Sequence, residues 1–173
     1  MGIDPGLATT GWGLINAAPR ARYLNSGIIR TSSTTEHVAR LDAIYRQIVQ
    51  ITADSCPEVA CVERVFANMN GKTSMALGEA RGAAIAALIS CDVQVIEISA
   101  LQIKKSITGH GRADKKQMAE MIPLLLEDAP AVRADAADAL ACALAATPMA
   151  RLRSSRSSRL PPIRGGRRRV ARR

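Results

Sequence analysis

The sequence predicts an α/β domain, a five-stranded mixed sheet flanked by helices. Two observations carry that expectation. Three short apolar runs near the N-terminus, joined by links of a few residues, read as an antiparallel meander. After them the patterns alternate as helix, strand, helix, strand, helices, and a β-α-β-α-β series implies right-handed crossovers between parallel strands. Composition agrees. A chain of 173 residues, 47% hydrophobic, is enough for one core, and with 2% aromatic residues that core must be built from Ala, Ile, Leu and Val.

The elements follow in order. Met1-Gly2-Ile3 is a short strand running into Asp4, and Asp4 runs into Pro5-Gly6. Pro5 suits the second position of a turn, and Gly6 tolerates the positive φ that a type II turn needs next. Asp4 therefore sits where a strand end opens into a cleft, and either caps its own turn or holds a cation. Gly11–Asn16 and Tyr23–Arg30 read as the next two strands, with Ala17–Arg20 between them. Residues 32–36 offer N-cap side chains for a helix whose apolar positions, Val38, Leu41, Ile44, Tyr45, Ile48 and Ile51, recur at helical spacing.

Val59–Val62 is a continuous apolar run, the pattern of a strand buried on both faces, and Glu63 follows it. A loop through Phe66 leads to a helix over 73–89 that carries Gly78, Ala80, Gly82, Ala83, Ala84, Ala86 and Ala87. So many small residues allow a close approach, either to the domain's own sheet or to a second subunit. Val93–Ile98 is the fifth strand. Ser99 with Gln102, and Asp114 with Gln117, have the spacing of capping boxes, each opening a helix, and Gly109-His110-Gly111 separates the two. Pro123 lies inside an apolar helical run and predicts a kink or an early end. Residues 134–147, nearly all Ala and Leu apart from Asp135 and Asp138, form a last helix that Pro148 is expected to close.

Charge is unevenly placed. The net charge is +9, yet residues 151–173 hold 10 Arg and no acid, so the body keeps 24 − 10 = 14 basic against 15 acidic residues. The expected division is one folded domain over 1–150 and a disordered, phosphate-seeking basic tail over 151–173. Cys56, Cys61, Cys91 and Cys142 show no paired spacing that would suggest a zinc site and read as small buried thiols in a reducing compartment. No apolar run reaches the ~18 residues of a membrane span, and no signal peptide pattern opens the chain.

Four carboxylates stand out. Asp4 and Glu63 follow strands; Asp135 and Asp138, three apart, share one face of an otherwise apolar helix. Buried acids are rare unless paired or bound to metal, and no Lys or Arg in that helix offers partnership. If the four converge, their hard oxygens suit Mg²⁺ or Mn²⁺, and two such ions about 4 Å apart can drive in-line phosphodiester displacement.

At these residues the chain resembles the RuvC family of Holliday junction resolvases, which have the ribonuclease H-like fold. The resemblance runs from Met1 to about Pro148, through GIDPG (2–6), VERVF (62–66), LGEARG (77–82), GHGRADK (109–115) and ADAADALA (134–141). It implies a homodimeric, magnesium-dependent endonuclease that makes paired nicks in four-way DNA junctions, in recombination and repair, in the cytoplasm with the nucleoid. A branch-migration helicase complex is an implied partner. It places the catalytic and metal-binding roles on Asp4, Glu63, Asp135 and Asp138, with two ions per site. It also puts DNA contacts on Lys104 and Lys115 and a base-stacking wedge on Phe66. Arg112, between those lysines, is a further candidate DNA contact, and Gly78 and Gly82 of the small-residue helix are the candidate dimer contact.

Two departures bear on catalysis: only three residues precede Asp4, and Pro123 interrupts a helix that is normally continuous. They leave a junction binder without cleavage as an alternative, beside a ribonuclease H-like enzyme acting on RNA. The opening D-x-G…T-T-G also suggests the phosphate loop of actin-like ATPases, but a second phosphate loop and an adenosine motif are absent.

Overall fold

The structure is a computed structural model that describes residues 1–17, 19–64 and 71–157. Three strands open it: β1 (Gly2–Asp4), β2 (Thr9–Asn16) and β3 (Arg22–Arg30), each antiparallel to the next. Then come α1 (His37–Ser55), β4 (Val59–Arg64), α2 (Gly71–Ser90) and β5 (Gln94–Ser99), followed by α3 (Ala100–Thr108), α4 (Lys115–Leu125) and α5 (Ala134–Ser157). The sheet order is β3-β2-β1-β4-β5, with β4 parallel to both β1 and β5. The meander and the parallel half are those expected from the sequence.

Period-two alternation divides the strands between two cores. Ile3, Ile29, Ala60 and Val62 meet Ile44, Ile48, Ala84 and Leu88 of α1 and α2 on one face. Cys61, Ile96 and Ile98 meet Ile103, Met118, Ile122, Leu140 and Leu144 of α3, α4 and α5 on the other. Each fully buried Ile or Leu contributes roughly 1.5–3 kcal/mol, so this partition fixes the register of every strand.

β1 is short but pairs with β2 on one side and β4 on the other, and the β4 side is reinforced. The Met1 ammonium donates to the Val59 carbonyl at 2.9 Å, and the Cys61 amide donates to the Met1 carbonyl at 2.8 Å. Both predicted capping boxes form, at Ser99 and Asp114. α1 differs: its N-cap is Glu36, without a side-chain cap bond, and Val38 is 65% exposed, so its buried stripe starts at Ile44.

The prolines differ from each other. α4 ends at Leu125, two residues past Pro123, in line with the expected early end. α5 does not end at Pro148 but continues to Ser157. Its buried stretch from Ala136 to Ala146 anchors it on the sheet ahead of the proline, and the Arg and Leu residues beyond are good helix formers. The helix thus enters the segment expected to be tail; residues 158–173 lie outside the described ones.

The thiols are less uniform than expected: Cys61 and Cys142 are buried, Cys91 is half-buried and Cys56 exposed. The Cys142 thiol donates to the Cys61 sulfur at 3.0 Å; that bond, then burial, holds its pKa well above the ordinary value, so it stays protonated.

Candidate active site

Asp4 ends β1 opposite Gly11 of β2. Ile3 pairs with Val62 in the parallel ladder, so the next positions, Asp4 and Glu63, lie side by side at the same end of the sheet. Ile3 and Val62 face α1 and α2, which turns Asp4 and Glu63 toward α5.

The turn after Asp4 is not closed by its carboxylate. The Thr10 hydroxyl donates to the Gly6 carbonyl at 2.8 Å and accepts from the Gly6 amide at 3.3 Å. Among the described residues Gly109 is the one glycine with positive φ, so Gly6 is not the left-handed residue that a type II turn requires. What Gly6 needs is room, since a Cβ there would stand 2.4 Å from the Thr9 carbonyl oxygen. Thr31 adds a clamp, its hydroxyl donating to the Leu7 carbonyl. Asp4 therefore keeps its carboxylate free of hydrogen bonds among the described residues and does not cap its own turn.

α5 carries Asp135 and Asp138 to this place along a track of glycines. A Cβ on Gly11 would lie 2.0 Å from the Asp135 carbonyl oxygen, one on Gly2 would lie 2.0 Å from that of Ala139, and one on Gly13 would meet Leu140 at 2.7 Å. The helix rests directly on strand backbone. The Gly-rich opening of the chain was the signal for this, and periodicity alone does not reveal it.

Glu63 is positioned from the opposite face. Arg81 Nε of α2 donates to the Glu63 carbonyl at 3.0 Å, and its guanidinium also pairs with Glu97 of β5. Arg81 was not singled out from the sequence, although it lies in the LGEARG stretch (77–82) and is a charge in a helix of small residues.

The electrostatics tie the four acids together. Asp4 is raised from 3.8 to about 7, first by burial, then by Asp138, Glu63 and Asp135, with Lys115 opposing. Glu63 is raised by burial and Asp138, opposed by Lys104 and Lys115. Asp138 is raised by burial and Asp135, and Lys115, whose ammonium lies 3.8 Å from its carboxylate, opposes most strongly. The partner missing from α5 itself comes from α4.

Among the described residues no three of these side chains gather tightly enough to cage a metal ion by themselves. Like charges keep such groups apart, and Mg²⁺ does not need a closed cage. It retains several waters and binds through one or two carboxylates plus substrate phosphates. The donor set, all carboxylate oxygen, fits such an ion in chemistry.

The other predicted residues are scattered. Lys104 is half-buried near Glu63 and Asp138; Arg112 is exposed in the link between α3 and α4. Gly78 and Gly82 face open space on the outer side of α2, and Phe66 lies outside the described residues.

Residues 1–146 match the family described as "Crossover junction endodeoxyribonuclease RuvC". The chain belongs to the RuvC family. RuvC of Thiobacillus denitrificans is 46% identical over 145 residues, covering 83% of this chain and 84% of that protein. RuvC of Burkholderia orbicola is 43% identical over 145 residues, covering 83% and 80%. Among solved structures, Thermus thermophilus RuvC in complex with a Holliday junction substrate superposes with a TM-score of 0.81 at 31% identity, covering 88% of this chain and 94% of that one. The five-stranded mixed sheet is thus the ribonuclease H-like sheet of RuvC.

Proposed function

We propose that this chain resolves four-way DNA junctions by hydrolysing phosphodiester bonds, using Mg²⁺ held by Asp4, Glu63, Asp135 and Asp138. The carrying observation is that β1, β4 and α5 of a RuvC-family chain bring Asp4, Glu63, Asp135 and Asp138 into one neighbourhood, where burial first, and then the other three acids, raise the pKa of Asp4 to about 7. Such mutual destabilisation, retained at the mouth of a cleft, is relieved by a bound cation.

Bound Mg²⁺ or Mn²⁺ would neutralise the scissile phosphate and activate the attacking water. Loading requires an ionised Asp4, whose carboxyl proton passes to solvent. Lys104 and Lys115 favour the ionised acids and offer charge to the phosphates flanking the cut. Burial of the strand ends and the Thr10 and Thr31 clamps hold Asp4 in place between turnovers.

Two nicks on one junction call for two active sites. α2 supports a homodimer: Met75, Gly78, Gly82, Ala86 and Ile89 form an exposed, largely apolar stripe on its outer face. A helicase partner rests on the family resemblance alone.

The test is nicking of a synthetic four-way junction with and without Mg²⁺. Paired cuts that need Mg²⁺ and vanish in Asp4→Asn, with junction binding kept, are expected. Cleavage that survives in Asp4→Asn, or junction binding with no cleavage at any Mg²⁺ or Mn²⁺ concentration, refutes the reading.

A further inference from the structure

Beside the acids, on the side away from Lys104 and Lys115, β3 and the segment leading into α5 enclose an open cleft of about 490 Å³. Arg30 and Arg133 line it, with Tyr23, Ser26, Ile28 and Pro130 among their neighbours. Both arginines are tied to the active site through Gly11. Gly11 pairs with Ile28, and Arg30 lies two residues further along the same face of β3. The Asp135 carbonyl rests on Gly11, and Arg133 lies two residues before Asp135.

The charge of this cleft is uncommitted. Other arginines near this edge have partners, Arg20 with Glu127 and Arg22 with Asp128 at 3.1 Å. Arg30 and Arg133 are exposed and form no ion pair among the described residues. None of the four carboxylates lines this cleft, so its guanidiniums, on a body whose charge is near balance, call for an anion other than the protein's own. Arginine's planar fork matches phosphate in particular.

We propose that Arg30 and Arg133 bind the sugar-phosphate backbone of the DNA strand being cut, across the acids from Lys104 and Lys115. The strand then crosses the sheet end with a basic flank on either side of the scissile phosphate. This rests on the resolvase reading and adds to it a path for the substrate.

The experiment measures junction affinity against salt concentration in an Asp4→Asn background, where nothing is cut. Each phosphate contact contributes a log–log slope of roughly 0.7–0.9, so R30Q/R133Q should flatten the slope by about 1.4–1.8. Referred to 1 M salt, where this contribution vanishes, the same relation weakens binding roughly 25- to 60-fold at 0.1 M salt. R30K/R133K should restore most of the slope, because counterion release follows charge. The single variants R30Q and R133Q should each remove about half the effect and keep the test decisive if the double variant unfolds. A slope unchanged in folded variants overturns this inference alone. Failure of the parent chain to bind the junction overturns the resolvase reading and this inference with it.

Discussion

The carbonyl oxygen of Asp135 occupies the space where a side chain on Gly11 would begin, 2.0 Å from an ideal Cβ. Gly11 is the cross-strand partner of Asp4, so this one contact links the acid of β1 to the acids of α5. Backbone packing thus brings the acid-bearing elements together, and the Lys115–Asp138 ion pair at 3.8 Å adds a direct link between functional side chains.

Gly11→Ala should push the start of α5 off the sheet. Overpacking of this kind costs about 1–3 kcal/mol, which thermal unfolding will read. Displacement of Asp135 and Asp138 by even ~1 Å should lower the nicking rate on the order of 100-fold. Junction binding should change far less. A variant that nicks at the parental rate would show that α5 tolerates the added methyl.

Asp4 predicts a pH dependence of stability. Its folded pKa, about 7, lies above the ordinary 3.8, so between these values the folded chain holds the extra proton. Stability of the metal-free protein should therefore fall as pH rises from about 4 to 7 and stay reduced above that. Asp4→Asn should stabilise the metal-free protein at pH 8 by at most about 4 kcal/mol from the size of the shift, read as a higher melting temperature, and have little effect at pH 4. Mg²⁺ should stabilise the parent at pH 8 much more than at pH 5, because at low pH the ion competes with protons. Equal stabilisation at both would count against Asp4 as a ligand.

Lys115 lowers the pKa of Asp4, Glu63 and Asp138. Lys115→Met removes that help, so all three should rise further and the acid limb of the pH–rate profile should move to higher pH. A lysine that contacts only distant phosphate would weaken binding and leave the limb in place. The profile at saturating enzyme distinguishes the two.

Gly82 faces open space in an intact helix. Gly82→Arg should leave the fold stable, since arginine is the better helix former by up to about 1 kcal/mol. In sedimentation it should convert a dimer into a monomer, and paired nicking should give way to uncoordinated single cuts. A variant that remains dimeric would place the subunit contact elsewhere than on α2.

Much of this was legible in the sequence, for local reasons. Apolar spacing gave the buried face of α1, Ser99 with Gln102 and Asp114 with Gln117 gave two helix starts, and strand-terminal placement picked out Asp4 and Glu63. The departures are equally physical. Pro148 was expected to end α5, but the anchored helix carries on to Ser157. Gly6 was expected to supply a left-handed turn and instead supplies space beside Thr9.

The sequence by itself determined the element types, the α/β class and which acids are candidates, because periodicity, capping and turn chemistry act over a few residues. Only the tertiary structure decided that those acids share one neighbourhood. It also decided that Lys115 of α4 supplies the charge α5 lacks, that Arg81 holds the end of β4, and that Arg30 and Arg133, in no ion pair among the described residues, line one cleft at the start of α5. These relations join residues far apart in the chain, and they depend on strand register and on how closely a helix can approach a glycine-lined sheet, which no local pattern encodes.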